Sequence, residues 1–177
     1  MNLTLSGGTR MGTITIPCSK SQAHRMLICA ALSDAPSCLC LNATNDDIAA
    51  TVRCLRALGA AIDAQDGALH IRPLSGAAAH TAQLDVGESG STLRFLLPVL
   101  GALGVHAEVR MHGRLPERPL SPLLELLQAH GMTLRRCGDV LHVSGQLTAG
   151  EFSLPGSVSS QFVSGLLFAL PLLFGDS

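Results

Sequence analysis

Lysine occurs once in this chain, at Lys20, against eleven arginines. It stands in Pro17-Cys18-Ser19-Lys20-Ser21-Gln22-Ala23-His24-Arg25. An alternating run, Gly12-Thr13-Ile14-Thr15-Ile16, precedes this stretch, and an apolar run from Met26 to Leu32 follows it. The order reads as a strand, a tight turn and a helix start. A helix start leaves backbone N–H groups unpaired and carries the positive end of the helix dipole. Phosphate or carboxylate binds there. Ser19 can cap such a helix, Lys20 adds a compact ammonium, and Arg25 follows on the helix one turn later. The alternative is an ordinary solvated lysine beside an ordinary cap.

Two further turns have the same character, Gly87-Glu88-Ser89-Gly90-Ser91-Thr92 and Ser157-Val158-Ser159-Ser160-Gln161. Gly90 removes a side chain, so a ligand can approach the backbone there. Ser159, Ser160 and Gln161 offer hydroxyl and amide groups to a polyhydroxyl ligand. Capping, worth about 1 kcal/mol per helix, accounts for Ser89 and Ser157 but less well for Lys20, Arg25 and Gln161. Arg114 and Arg118 flank Leu115-Pro116-Glu117. Arg118 precedes Pro119, which favours an extended backbone. From there it can fork onto a carboxylate or phosphate, or pair with Glu117 in solvent. The histidines show no metal-ligand spacing. His70 and His142 read as structural and His24 as a helix-surface residue. No Ser/His/Asp order and no paired carboxylates stand out, so no catalytic acid or base is assigned.

The elements that hold these turns read as α/β. Residues 12–17 form a strand and about 20–33 a helix, which Asp34-Ala35-Pro36 ends. Cys38 to Leu41 is a strand. Asn45 caps a helix with Asp46 and Asp47 in its first turn and Ile48, Val52, Leu55 and Leu58 at helical spacing. Gly59 stops it. Ala61-Ile62-Asp63 and Ala68-Leu69-His70-Ile71 form a hairpin around Asp66-Gly67. The order then recurs: a strand at Gln83 to Val86, a helix at Leu93 to Leu103, a strand at Val105 to Met111 and a helix at Pro119 to His130. A hairpin of Thr133 to Arg135 and Val140 to Val143 closes this unit. Leu55-Arg56-Ala57-Leu58-Gly59 matches Leu127-Gln128-Ala129-His130-Gly131 at an offset of 72 residues. Each unit is β-α-β-α-β-β, at about 12–80 and 81–148, with a third at 149–177 that stops after its first helix. The third opens at Phe152-Ser153-Leu154. Its apolar ending, Leu172-Leu173-Phe174, is expected in a truncated chain or incomplete domain. Repeated units share a core. Related by a pseudo-rotation, they would bring the three turns to one site.

Composition narrows the function classes. The chain is 47% hydrophobic with a formal net charge of −1, so it is not disordered and has no general affinity for nucleic acid or an anionic membrane. Trp and Tyr are absent, which removes the usual stacking platforms for single strands. The most apolar stretch, Phe162 to Phe174, is too short for a span of about 20 residues. The six cysteines form no C-x-x-C pair. With no signal peptide legible, they read as reduced thiols of a cytoplasmic protein, most of them small apolar packing residues.

Together the turns resemble 5-enolpyruvylshikimate-3-phosphate synthase. Pro17, Lys20, Ser21 and Arg25 meet the family's P-G-x-K-S-x-S-x-R pattern, with Cys18 and Ala23 departing from it. Glu88-Ser89-Gly90-Ser91-Thr92-Leu93-Arg94 is similar to N-A-G-T-x-x-R, with Glu88 in place of Asn. Glu117-Arg118-Pro119 resembles E-R-P and Ser159-Ser160-Gln161-Phe162 resembles S-S-Q-F. The resemblance implies the enolpyruvyl transferase fold and two small-molecule substrates, phosphoenolpyruvate and shikimate 3-phosphate, with no cofactor and no metal. It implies that Lys20, Ser21, Arg25, Ser159, Ser160 and Gln161 hold shikimate 3-phosphate. Lys20, Gly90, Arg118 and Gln161 would line the phosphoenolpyruvate site. It also implies a second domain of the same enzyme, to which residues 1–11 would contribute a strand and which would carry the acid/base groups. Two alternatives stand beside this. One is a non-catalytic half-domain that keeps the pocket. The other is a UDP-N-acetylglucosamine enolpyruvyl transferase, which has K-N where this chain has Lys20-Ser21 and usually a Cys near Gly113.

Overall fold

A computed structural model of the chain describes residues 3, 4, 6–9, 11–74 and 80–177. The first unit comprises α1 (Lys20–Leu32), β1 (Ser37–Cys40), α2 (Asp46–Ala57), β2 (Ala61–Gln65) and β3 (Ala68–Arg72). The second comprises β4 (Thr81–Gly87), α3 (Gly90–Ala102), β5 (His106–Met111), α4 (Leu123–Ala129), β6 (Met132–Cys137) and β7 (Val140–Gly145). A 3-10 turn, Leu115–Glu117, precedes α4. The last helix is α5 (Ser160–Ala169), followed by a 3-10 turn at Leu170–Leu172.

The two sheets share a three-stranded antiparallel arrangement, to which the second adds a parallel strand. The first has the order β1-β3-β2 and is antiparallel. The second has the order β4-β5-β7-β6, with β4 parallel to β5 and the other pairs antiparallel. In the second sheet Leu84, Val109 and Leu141 stand opposite one another across three strands, and all three are buried. That row is the inner face. Glu108 and His142, opposite each other one position away, are exposed on the outer face. The hairpin of β2 and β3 turns at Asp66 and Gly67, whose φ angles of 52° and 75° are those of a primed turn.

Helix α3 forms the centre of the core. Leu93, Phe95, Leu96, Leu97, Val99 and Leu100 on it are all buried. A helix apolar on nearly every side must be covered on nearly every side, and α5 covers one of them. The two helices meet at Gly165, where a Cβ atom would lie 2.5 Å from the carbonyl oxygen of Arg94. Only a glycine permits that approach. Phe95 and Phe168 meet edge to face across the same contact, at 5.6 Å between centroids.

Several expectations need correction. Residues 12–16 form no strand, and Ile14 and Ile16 are 83% and 73% exposed. A strand exists by pairing, and among the described residues β1 pairs only with β3. The segment is held instead by Asn42, which donates to the Ile16 carbonyl and accepts the Cys18 N–H. Residues 152–154 likewise form no strand, and Phe152 stacks on the His130 ring at 3.8 Å. Leu3 and Thr4 lie outside regular structure, and Leu5 lies outside the described residues. So do residues 75–79, at the junction of the first two units. Helix α4 begins at Leu123, four residues later than expected, because Pro122 would cost a helix begun at Pro119 one hydrogen bond and disfavours a helical backbone at Ser121. Of the cysteines only Cys54 is buried. Cys38 and Cys40 flank the buried Leu39 on β1 and so fall on the outer face.

Candidate functional site

Each polar turn is a helix start, and each start is capped from within. Ser19 Oγ accepts from Gln22 N, Ser89 Oγ from Thr92 N at 3.3 Å, and Ser159 Oγ from Gln161 N at 3.2 Å. Ser19 and Ser89 cap as expected, whereas the third helix is capped by Ser159 and not by Ser157. The side chains between the starts do more than cap.

On α1, Lys20 Nζ lies 2.6 Å from Asp47 Oδ2 in the first turn of α2. Arg25 donates to the Ser21 carbonyl at 2.9 Å and to the Ser21 hydroxyl. Its other terminal nitrogen donates to Ser164 Oγ at 3.0 Å, so the guanidinium bridges α1 and α5. That guanidinium also lies over the Phe95 ring at 5.0 Å. Ser164 in turn donates to the Ser160 carbonyl at 3.0 Å. The first turn is thus tied to the third.

The second turn is tied to the third by another arginine. Arg94 Nη1 donates to Gln161 Oε1 at 2.9 Å, and Gln161 Nε2 donates to Ser91 Oγ at 2.8 Å. A Cβ built on Gly90 would lie 2.8 Å from Arg94 Nη1 and 3.3 Å from Arg118 Nη1. Two guanidinium groups therefore meet over the start of α3, at the one residue there without a side chain. Burial, reinforced by the Arg118 charge, pulls the Arg94 pKa below the usual arginine value. Neither arginine has a carboxylate partner among the described residues, and Glu117 pairs with Arg114 at 3.5 Å. The pairing of Arg118 with Glu117 does not occur.

Beneath the turns runs a buried polar chain. His24 Nδ1 is 2.7 Å from Thr51 Oγ1, which is 2.7 Å from Thr92 Oγ1, which donates to Ser89 Oγ at 2.7 Å. The chain links α1, α2 and the cap of α3. His24 is fully buried, which corrects its reading as a surface residue. Burial in these apolar surroundings lowers its pKa to about 4. Its Nε2 has no partner among the described residues. Among these residues no cluster of three or more His, Cys, Asp or Glu is placed to hold a metal ion, and no helix is long and apolar enough to cross a membrane.

Convergent helix starts with unneutralised arginines suit an anion. The family model described as EPSP synthase (3-phosphoshikimate 1-carboxyvinyltransferase) matches residues 6–176. The chain belongs to the EPSP synthase family. It is similar to the 3-phosphoshikimate 1-carboxyvinyltransferase of Clostridium botulinum, at 41% identity over 96% of this chain and 41% of that protein. The enzyme of that name from Brachyspira hyodysenteriae is 36% identical over 100% of this chain and 42% of its own length. The chain therefore spans about two-fifths of the curated relatives it matches. An EPSP synthase from Acinetobacter baumannii superposes with a TM-score of 0.75 at 25% identity, over 89% of this chain and 37% of that one. The enolpyruvyl transferase NikO from Streptomyces tendae shares the fold, with a TM-score of 0.58 at 18% identity over 90% of this chain and 38% of that one.

Within this family fold, the residues expected at the site fall into two groups. Lys20, Ser21 and Arg25 lie at the start of α1, and Ser159, Ser160 and Gln161 lie at the start of α5. The Arg25–Ser164 bond joins the two. Gly90, Arg118 and Gln161 surround Arg94. Asp47 and Ser164 stand outside the residues expected at the site, and Ser91 and Arg94 enter it only by their place in a motif. Their roles depend on which helices lie side by side, and no local spacing carries that information. The one available signal was Asp47, an acid in the first turn of a helix neighbouring the sole lysine.

Proposed function

We propose that this chain supplies one half of a site that transfers the enolpyruvyl group of phosphoenolpyruvate to the 5-hydroxyl of shikimate 3-phosphate, releasing phosphate. The supporting observation is the pair of guanidiniums over Gly90, neither with a carboxylate partner among the described residues, of which Arg94 is hydrogen-bonded to Gln161 at the start of α5. Two polyanions must be held together in this reaction, and preorganised cations and N–H groups offset their repulsion. Lys20, Ser21, Arg25, Ser159, Ser160 and Gln161 hold shikimate 3-phosphate in this reading. Lys20, Gly90, Arg118 and Gln161 hold phosphoenolpyruvate. The hydroxyl loses its proton and its oxygen bonds to C2 of phosphoenolpyruvate as the C2–C3 double bond opens and C3 takes a proton; the C2–O bond to phosphate then breaks as C3 gives up a proton and the double bond re-forms. Proton transfer falls to a second domain of the same enzyme, which also closes over the site and excludes water. The six cysteines, free among the described residues, fit a cytoplasmic setting.

The test is calorimetry together with a phosphate-release assay on the 177-residue chain. Shikimate 3-phosphate is expected to bind with a dissociation constant on the order of 1 mM, since half the clamp is missing. Binding should weaken with salt because the contacts are ionic and open to solvent. Turnover near 1 s⁻¹ would show that the other half is dispensable. Preference for UDP-N-acetylglucosamine would move the chain to the other transferase class.

Gly90→Ala gives a sharper reading of the same site. Its methyl group would press on the tips of Arg94 and Arg118, which can swing aside. We expect phosphoenolpyruvate affinity to fall about tenfold, roughly 1.4 kcal/mol, with shikimate 3-phosphate affected less. Equal losses for both ligands would indicate a folding defect instead.

A further inference from the structure

Arg94 has a role that its anion-site position does not explain. Its guanidinium is half-buried, and its Nε is buried without a partner among the described residues. It lies 5.8 Å from the centre of the Phe162 ring and makes only a long, 3.5 Å contact to the Pro119 carbonyl. Its one short polar contact among the described residues is to the Gln161 amide oxygen, at 2.9 Å. A desolvated cation without a counter-ion is costly to keep.

The Gln161 amide has two ends of opposite character. One end accepts two hydrogen bonds, and the other donates two. A guanidinium only donates. Turning the amide over would set its NH2 group against the Arg94 N–H groups, donor against donor. The other anchor, Ser91 Oγ, accepts from Nε2 at 2.8 Å and is consistent with the same orientation. A serine hydroxyl can both give and take, so Ser91 alone would permit either orientation. Arg94 is the group that decides.

We propose that Arg94 is a positioning residue that fixes the flip of the Gln161 amide, with Ser91 as the second anchor. Gln161 then presents one pre-set N–H to the carboxylate or phosphate of the bound anion. This rests on the reading of Gln161 as a ligand-binding residue. An amide already aimed loses no orientational freedom when the ligand arrives, and affinity rises accordingly.

The test has a ligand-free arm and a binding arm. In the first, the side-chain amide signals of Gln161 are followed by ¹⁵N NMR in the parent chain, Arg94→Met, Arg94→Lys and Ser91→Ala. The parent should show two well-separated protons that exchange slowly with solvent. Arg94→Met should move both toward the positions of a free amide, more than Ser91→Ala does. Arg94→Lys, which restores one donor, should fall between parent and Arg94→Met, and it also serves if Arg94→Met fails to fold. Gln161 signals unchanged in both arginine variants would overturn the proposal. In the second arm, phosphoenolpyruvate is titrated into Arg94→Met, Gln161→Met and the double variant. Each single change should cost three- to tenfold, and the double no more than Gln161→Met alone, because Arg94 acts through Gln161. Losses that multiply would mean that Arg94 meets the anion directly, and would also overturn the proposal. A parent chain that binds neither substrate would defeat the functional reading, while the NMR arm still decides what Arg94 does to Gln161.

Discussion

Lowering the pH from 7 to 4 is expected to remove about 3 kcal/mol of folding stability through His24 alone. The imidazole is fully buried, hydrogen-bonded to Thr51 and edge-on to Phe95 at 6.2 Å. Burial is the largest cause of its low pKa; Asp47 opposes the shift, and Lys20 and Arg25 add to it. The folded pKa is about 4, against an ordinary value of 6.5. Above pH 6.5 the ring is neutral in both folded and unfolded chains, and its contribution is complete. Between 6.5 and 4 the unfolded chain takes up a proton that the fold refuses, so stability falls with pH. Below 4 the loss is complete. Urea midpoints across this range, compared between the parent and His24→Asn, isolate the effect. Asn keeps a group that can bond Thr51 and does not titrate, so the variant should lose less stability in acid. Parallel curves would show that His24 takes up its proton equally in the folded and unfolded chains, as a ring open to water does.

Lys20→Met is expected to abolish detectable binding of shikimate 3-phosphate while leaving the fold nearly unchanged. The lysine side chain is 49% exposed and its one ion pair is with Asp47, 30% exposed. An exposed pair of this kind contributes about 0–1 kcal/mol to stability. Binding is another matter. Removing the ammonium also leaves Asp47 as an unmatched negative charge where the ligand phosphate must approach. Lys20→Met with Asp47→Asn should therefore recover part of the lost affinity. Thermal unfolding tests the first claim and calorimetry the second. A Lys20→Met chain that bound as well as the parent would remove Lys20 from the site.

Local signals were legible in the sequence and long-range pairings were not. Asp66-Gly67 specifies its hairpin because both residues tolerate positive φ. A hairpin returns at β6 and β7, as the internal repeat requires, though in its Gly138-Asp139 turn only Gly138 has a positive φ. Ser19, Asn45 and Ser89 announce helix starts because a cap bonds within three residues. The run from Gly12 to Ile16 alternates as a strand should, yet its fate depends on whether an edge is there to receive it. His24 sits in a helical sequence that fits a surface as well as a core. Only the packing of α1 against α2 and α3 brings Thr51 to its ring. The family's four motifs mark the residues proposed to bind the anion. The groups that aim them, Asp47, Ser91 and Arg94, emerged only once the helices were side by side.

The contact at Gly165 has a bearing on protein engineering. Its Cα faces the backbone of Arg94 with no room for a methyl group. Gln161, one turn earlier on the same helix, takes its bond from the Arg94 side chain. The spacing of the two helices and the aim of the amide are thus set by the same pair of segments. Hybrids that graft α5 from a relative onto this chain would inherit a mismatched groove unless α3 came with it. The smallest exchangeable cassette is the pair, 90–102 with 160–169, although almost sixty residues separate them in the chain.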